Sequence, residues 1–293
     1  MRLMFLGTAA GGACPQWNCG CRLCLSGLPP RAQDCLAIAA GAEWLLLNAS
    51  PDLTRQLTRS PLRPPADGRG LPIAAVLLTD AELDHSLGLL QLREDPGLPV
   101  YAPCPALEAL RPFREILACY GSWTWHPSDE GLRIGPLHID TVPLSDKRPR
   151  YTPADAHMGA LLPSGGSKAP MLPTPDPWVV GYRILDSASG RTVLYAPCFR
   201  EWTRTLAAAV ESVDLAILDG TFFSTDELGP HRPDQKVMGH LPVLDSLPLL
   251  PASTRVIYTH LNNTNPLLDP QAPEQEKLGR AEVAEDLTVM DIG

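Results

Sequence analysis

The stretch Ile73-Ala74-Ala75-Val76-Leu77-Leu78-Thr79-Asp80-Ala81-Glu82-Leu83-Asp84-His85-Ser86 decides the fold. It begins with an unbroken apolar run, too short for a buried helix and too uniform for a half-exposed strand. It predicts a strand covered on both faces, as in a layered α/β protein. The polar residues that follow place carboxylates at 80, 82 and 84 and an imidazole at 85. That set suits a hard or borderline divalent cation. The same residues would also serve an acidic helix N-terminus with Asp80 as its cap, and both readings stand at this point.

The pattern recurs further along. Leu215–Leu218 is a second buried strand and ends at Asp219; Arg255–Thr259 is a third and ends at His260. Polar groups on loops just beyond strand ends are the usual place for chemistry in layered α/β folds. Strands are also predicted over Met1–Leu6, Leu36–Ala40, Trp44–Asn48, Val100–Ala102 and Leu137–Val142. Val179–Leu185 and Thr192–Ala196 make a hairpin around Ser187-Ala188-Ser189-Gly190. Helices are predicted over 51–59, 86–93, 107–120, 202–211 and 244–250, the first with Pro51 at its opening position. Proline-rich stretches, including 149–177, read as loops. There is no internal repeat, and residues 1–293 are expected to form a single domain.

Bulk properties narrow the function classes. The net charge of −9 argues against nucleic acid, since phosphate binding needs a basic face. No apolar run approaches a membrane span. The start of the chain lacks the apolar core of a secretory signal, so a cytoplasmic protein is expected. Among the eight cysteines, Cys19, Cys21 and Cys24 are clustered, which favours zinc over disulfides. A Cys-x-x-Cys redox pair at 21–24 is the rival. The scattered cysteines Cys14, Cys35, Cys104, Cys119 and Cys198 read mostly as small buried hydrophobes. His240, in Met238-Gly239-His240-Leu241-Pro242, would by itself be an ordinary structural histidine. His260 opens an Asn-rich run, Asn262-Asn263-Thr264-Asn265-Pro266, that also reads as a turn.

Taken in order, several blocks resemble the pyrroloquinoline quinone (PQQ) biosynthesis protein B family of the metallo-β-lactamase superfamily. They are Leu6-Gly7-Thr8-Ala9-Ala10-Gly11-Gly12, Pro15-Gln16-Trp17-Asn18-Cys19-Gly20-Cys21-Arg22-Leu23-Cys24, Asn48-Ala49-Ser50-Pro51-Asp52, Asp84-His85-Ser86-Leu87-Gly88-Leu89-Leu90-Gln91-Leu92-Arg93-Glu94, Tyr195-Ala196-Pro197, Asp219-Gly220-Thr221, Met238-Gly239-His240-Leu241 and His260-Leu261-Asn262-Asn263-Thr264-Asn265-Pro266-Leu267-Leu268-Asp269. The resemblance implies an α/β, αββα four-layer sandwich with metal at one edge. The superfamily's His-x-His-x-Asp-His frame reads here Asp80-Ala81-Glu82-Leu83-Asp84-His85, and its bridging aspartate falls near Pro197-Cys198.

The resemblance therefore implies an active-site metal on Asp84, His85 and His260, two imidazoles and a carboxylate of the kind that hold Fe(II) in oxygenases. Asp219 and His240 are further ligands or orienting groups. Asp80 and Glu82 supply a hard ligand, a hydrogen bond to a histidine, or a proton acceptor. Cys19, Cys21 and Cys24 match the family's structural zinc cluster. Asn263 stands where a related phosphodiesterase has its fourth, histidine ligand. The implied activity is iron-dependent hydroxylation by O2 of a tyrosine-like or other aromatic amino-acid precursor, free or peptide-derived, in PQQ or a related natural-product pathway. Relatives imply a homodimer. Two alternatives are a metal-dependent hydrolase and a non-catalytic carrier of PQQ or its precursor. Glu82, Cys14 and Cys198 depart from the family pattern.

Overall fold

The expected first strand is β1 (Arg2–Gly7), and the hairpin after it is β2 (Cys35–Ala40) and β3 (Glu43–Leu47). Next come α1 (Leu53–Arg59), β4 (Ile73–Leu77), α2 (Leu83–Ser86), β5 (Pro99–Ala102), α3 (Cys104–Ala109), α4 (Arg111–Leu117) and β6 (Thr124–Pro127). The second half holds β7 (Leu132–Ile134), β8 (Leu137–Ser145), β9 (Val179–Asp186), β10 (Thr192–Ala196), α5 (Arg204–Glu211), β11 (Leu215–Asp219), α6 (Gln235–Met238), α7 (Val243–Ser246), β12 (Arg255–Thr259), β13 (Glu282–Val283) and β14 (Val289–Asp291). The structure, a computed structural model, describes residues 1–64, 66–95, 97–152, 176–229 and 234–292. Most of the proline-rich 149–177 stretch lies outside the described residues.

The strands form two seven-stranded sheets, ordered β14-β1-β2-β3-β4-β5-β6 and β13-β12-β11-β10-β9-β8-β7. Alternation along each strand explains why both faces are apolar. In β11, Leu215 and Ile217 enter the core between the sheets, while Ala216 and Leu218 face the outer layer. In β4, Ala75 and Leu77 face the inter-sheet core and Val76 faces out. Leu53 and Leu57 of α1 and Ala106, Leu107 and Leu117 of α3 and α4 cover the first sheet. Leu206, Ala209 and Val210 of α5 cover the second. The layers are thus α, β, β, α, as the resemblance implied. The Tyr182 hydroxyl donates to Leu78 O at 2.7 Å and Val180 N donates to Thr79 O at 2.9 Å, so the end of β4 is fastened to the opposite sheet.

Four helix expectations are corrected. The helix expected over 86–93 is one α turn ending at Ser86, then a 3₁₀ segment, Leu87–Glu94. Gly88 N bonds Ala49 O at 2.9 Å, and a Cβ at Gly88 would meet Ser50 O at 2.2 Å, so the segment is pressed onto a neighbouring loop. The helix expected over 107–120 is two helices that meet at Leu110, because Pro112 has no N–H and fits only a first turn. Pro248 likewise ends α7 early, leaving a 3₁₀ turn at Leu247–Leu249. Trp202 lies outside α5, which starts after Thr203, whose side chain accepts from Leu206 N at 3.1 Å.

Candidate metal centre

β3–β4–β5–β6 and β10–β11–β12–β13 run parallel, so their C-terminal ends gather on one edge of the sandwich. Asp84 and His85 come from the turn after β4, Cys198 from the loop after β10, Asp219 from the end of β11 and His260 from the end of β12. Oδ2 of Asp84 lies 3.4 Å from Nε2 of His260 and 3.9 Å from Nε2 of His85. The Cys198 thiol lies 3.9 Å from Nε2 of His260. Donor atoms of His85, Cys198 and His260 all lie within 4.8 Å of one another.

Each histidine is oriented from behind. Nδ1 of His85 is 2.8 Å from Oδ2 of Asp80. Nδ1 of His240 is 2.8 Å from Oδ2 of Asp219. Nδ1 of His260 is 2.7 Å from Oγ1 of Thr221, whose own hydroxyl donates to Oδ1 of Asp219 at 2.7 Å. In the neutral ring these acceptors place the proton on Nδ1, so that Nε2 carries the lone pair a cation would use. The buried Nε2 of His85 has no hydrogen-bond partner. An orphaned imidazole nitrogen beside a carboxylate, a second imidazole and a thiol fits a divalent cation.

The backbone is arranged to the same end. His260 adopts φ 60°, a left-handed conformation that costs an ordinary residue about 1–2 kcal/mol. Asn48, at φ 66°, accepts from Thr79 N at 2.9 Å and Thr79 Oγ1 at 3.1 Å and donates to the Tyr195 hydroxyl at 3.2 Å. Buried Asp34 accepts from the Tyr195 hydroxyl and from Thr259 Oγ1. One polar network thus joins the ends of both sheets behind the histidines. A Cβ at Gly11 would come within 2.8 Å of Asp84 Oδ2, so only glycine lets the loop after β1 close over that carboxylate.

The electrostatics favour positive charge. Burial works against ionising Asp84, but His85 and His260 hold its carboxyl well below the usual range. Burial is likewise overcome at Asp80 by His85 and at Asp219 by His240. Burial pushes the Cys198 thiol up, yet His260, His240 and His85 together bring it down to about 6. His240 is raised to about 9, burial opposing and Asp219 and Cys198 prevailing.

Of the residues singled out from sequence, Asp84, His85 and His260 converge, with His240 stacked on His260 at 5.4 Å between ring centroids. Asp80 and Asp219 orient histidines rather than face the cluster. Glu82 is turned outward and pairs with Lys147 at 2.9 Å, so of the carboxylates at 80, 82 and 84, which could serve a cation or a helix N-terminus, only Asp84 approaches the Nε2 atoms of His85 and His260. The cause is local: Oδ1 of Asp80 accepts Glu82 N at 2.8 Å and folds the turn so that the two side chains diverge. Cys198 is the residue the sequence reading missed, its position after Tyr195-Ala196-Pro197 being the available signal. Of the five scattered cysteines expected to be mostly buried, only Cys14 and Cys35 are; Cys104 and Cys198 are half-buried and Cys119 is exposed.

The thiols of Cys19, Cys21 and Cys24 lie within 4.8 Å of one another. The Asn263 amide sits over all three, Nδ2 being 3.1 Å from Cys19, 3.6 Å from Cys21 and 3.4 Å from Cys24. Asn263 therefore occupies the fourth corner. In this orientation it donates to the sulfurs; to act as a ligand it would present Oδ1 instead. Burial, then the charges of Cys24 and Cys21, push the neighbouring Cys14 thiol up to about 11, so it stays protonated.

Residues 43–260 match the model of the β-lactamase superfamily domain. Coenzyme PQQ synthesis protein B of Cupriavidus necator is 37% identical over 311 aligned positions, covering 96% of each chain. The protein of the same name from an Azoarcus species is 35% identical over the full length of both. Among solved structures, zinc-bound PqqB of Methylobacterium extorquens superimposes with a TM-score of 0.84 at 30% identity, covering 100% of both chains. A diphosphatase of the PhnP family, at 18% identity and TM-score 0.69, shares the fold.

Proposed function

We propose, from the premise that this chain belongs to the coenzyme PQQ synthesis protein B family of the β-lactamase superfamily, that it is a non-haem iron oxygenase. It would hydroxylate a tyrosine-like ring of an amino-acid precursor, free or peptide-derived. One atom of O2 enters a ring C–H bond as hydroxyl. The other leaves as water, with two electrons and two protons from an external two-electron donor and solvent. The chain would act as a homodimer.

The observation that carries this reading is the Asp84–His85–His260 group, two imidazoles and one carboxylate around an orphaned Nε2. Such a set would hold Fe(II) and leave positions open. Bound there, iron supplies the redox chemistry that O2 requires. The protein's part is orientation. Asp80 and Thr221 hold the two rings, and Gly11 closes one wall. Lys147, reaching from Glu82 to the backbone of Gly239, closes another. A dinuclear hydrolytic centre would need a second ligand set on the Asp80–Glu82 side. There Asp80 is committed to a ring nitrogen and Glu82 to Lys147, which favours one metal.

The test is metal content after anaerobic purification with Fe²⁺, followed by oxygen uptake with a tyrosine-containing substrate. About one iron and one zinc per chain, with substrate-dependent uptake, is expected. Two non-redox metals beyond the cysteine cluster and no uptake would turn the assignment to hydrolysis. Tight precursor binding without turnover would turn it to a carrier.

A further inference from the structure

Cys198 has no part in the carboxylate and imidazole set just described, yet its thiol is 3.9 Å from Nε2 of His260 and within 4.8 Å of the donor nitrogen of His85. Its position is enforced. Phe199 N donates to Oδ2 of Asp219 at 3.0 Å, and Phe199 O accepts Leu241 N at 2.7 Å. The loop carrying Cys198 is thus clamped to the two segments that bear Asp219 and His240. The unpartnered, buried Nε2 of His85 faces the same space.

The distances suit one ion. A metal with nitrogen or oxygen at about 2.1 Å and sulfur at about 2.3 Å, its donors about 90–110° apart, spaces them by about 3.0–3.7 Å, and a five- or six-coordinate ion keeps positions open beside four such donors. The separations here are 3.4 Å from Asp84 to His260, 3.9 Å from Asp84 to His85 and 3.9 Å from His260 to Cys198. These three lie in or within a few tenths of an ångström of that range, and the donors of His85, Cys198 and His260 are all within 4.8 Å of one another. We propose that Cys198 Sγ is a fourth protein donor to the active-site metal, giving a carboxylate, two-imidazole, thiolate set. This rests on Asp84, His85 and His260 holding that metal. A thiolate shifts preference from magnesium, calcium or manganese toward zinc, cobalt and iron, and it occupies the place from which a bridging carboxylate would reach a second metal.

The test uses full-length protein with zinc retained at the cysteine cluster and Co²⁺ loaded at the active site. A near-ultraviolet thiolate-to-cobalt band is expected in the wild type. It should be lost in Cys198→Ser with the zinc content unchanged, while the visible bands of cobalt held by the other donors persist. An equal near-ultraviolet band in both proteins would overturn the proposal. Binding of cobalt with no such band in the wild type would overturn it and leave the Asp84–His85–His260 assignment standing. Failure of the wild type to bind cobalt would overturn both. A second measurement needs no variant: alkylation of Cys198 in the wild type, read by mass spectrometry, should slow at least about tenfold on cobalt loading. Exposed Cys119 should be unaffected. Equal Cys198 rates with and without metal would count against the ligand role.

Discussion

Oδ2 of Asp80 lies 2.8 Å from Nδ1 of His85, behind the ring whose Nε2 faces Asp84. Asp80 therefore sets the ring's tautomer and direction without offering an oxygen to the metal. Removing such a support typically lowers metal affinity about 10–100-fold. Asp80→Ala is expected to weaken Co²⁺ binding by that factor in competition titrations, with Asp80→Asn weaker in effect because its carbonyl still accepts. Unchanged affinity in Asp80→Ala would show that the contact is not needed.

His85→Ala and His260→Ala are expected to lose the active-site metal and product formation while keeping the zinc at Cys19, Cys21 and Cys24. The two sites draw on different side chains, so metal analysis should show the loss of one ion, and circular dichroism should show the fold retained. Product formation by both metal-free variants would sink the iron assignment.

At the cysteine cluster, Cys21→Ser is expected to abolish zinc retention and lower the melting temperature by several degrees. The 14–31 segment has little regular structure, and the cluster ties it to the end of β12 through Asn263. Asn263→Ala removes a capping amide and not a thiolate, so it should weaken zinc less than Cys21→Ser. Limited proteolysis within 14–31 offers a second readout.

Asp214 gives a pH-dependent test away from either metal site. Its carboxyl is held below its ordinary 3.8, first by Thr192 N at 2.8 Å, then by Thr192 Oγ1 at 2.8 Å and Arg191 at 3.1 Å. A depressed acid stabilises the fold above its unfolded pKa, and this is lost as pH falls through the folded value. Asp214→Ala should therefore cost about 1 kcal/mol at neutral pH, allowing for solvent screening. The gap to wild type should close below about pH 4 in urea melts. A gap independent of pH would assign the cost to packing.

The buried strands were legible because their apolar runs are continuous, as at Ile73–Leu78 and Leu215–Leu218, and the ligand candidates were legible because they stand at the ends of those runs. Helix boundaries were less so. The periodicity of 107–120 hides the break that Pro112 imposes, and 86–93 loses its helix to contacts from Ala49 and Ser50, distant in sequence. The outward turn of Glu82 depends on one side-chain-to-backbone bond from Asp80, which spacing alone cannot convey. In sequence Cys198 is one scattered thiol, because its neighbours in space, His85 and His260, follow other strands.

The candidate metal group takes Asp84 and His85 from the sheet built by the first half of the chain and Cys198 and His260 from the sheet built by the second. Neither half holds enough donors to bind an ion tightly. An ion held by all four donors would bind only when the two sheets are docked, and would favour that docked form by mass action.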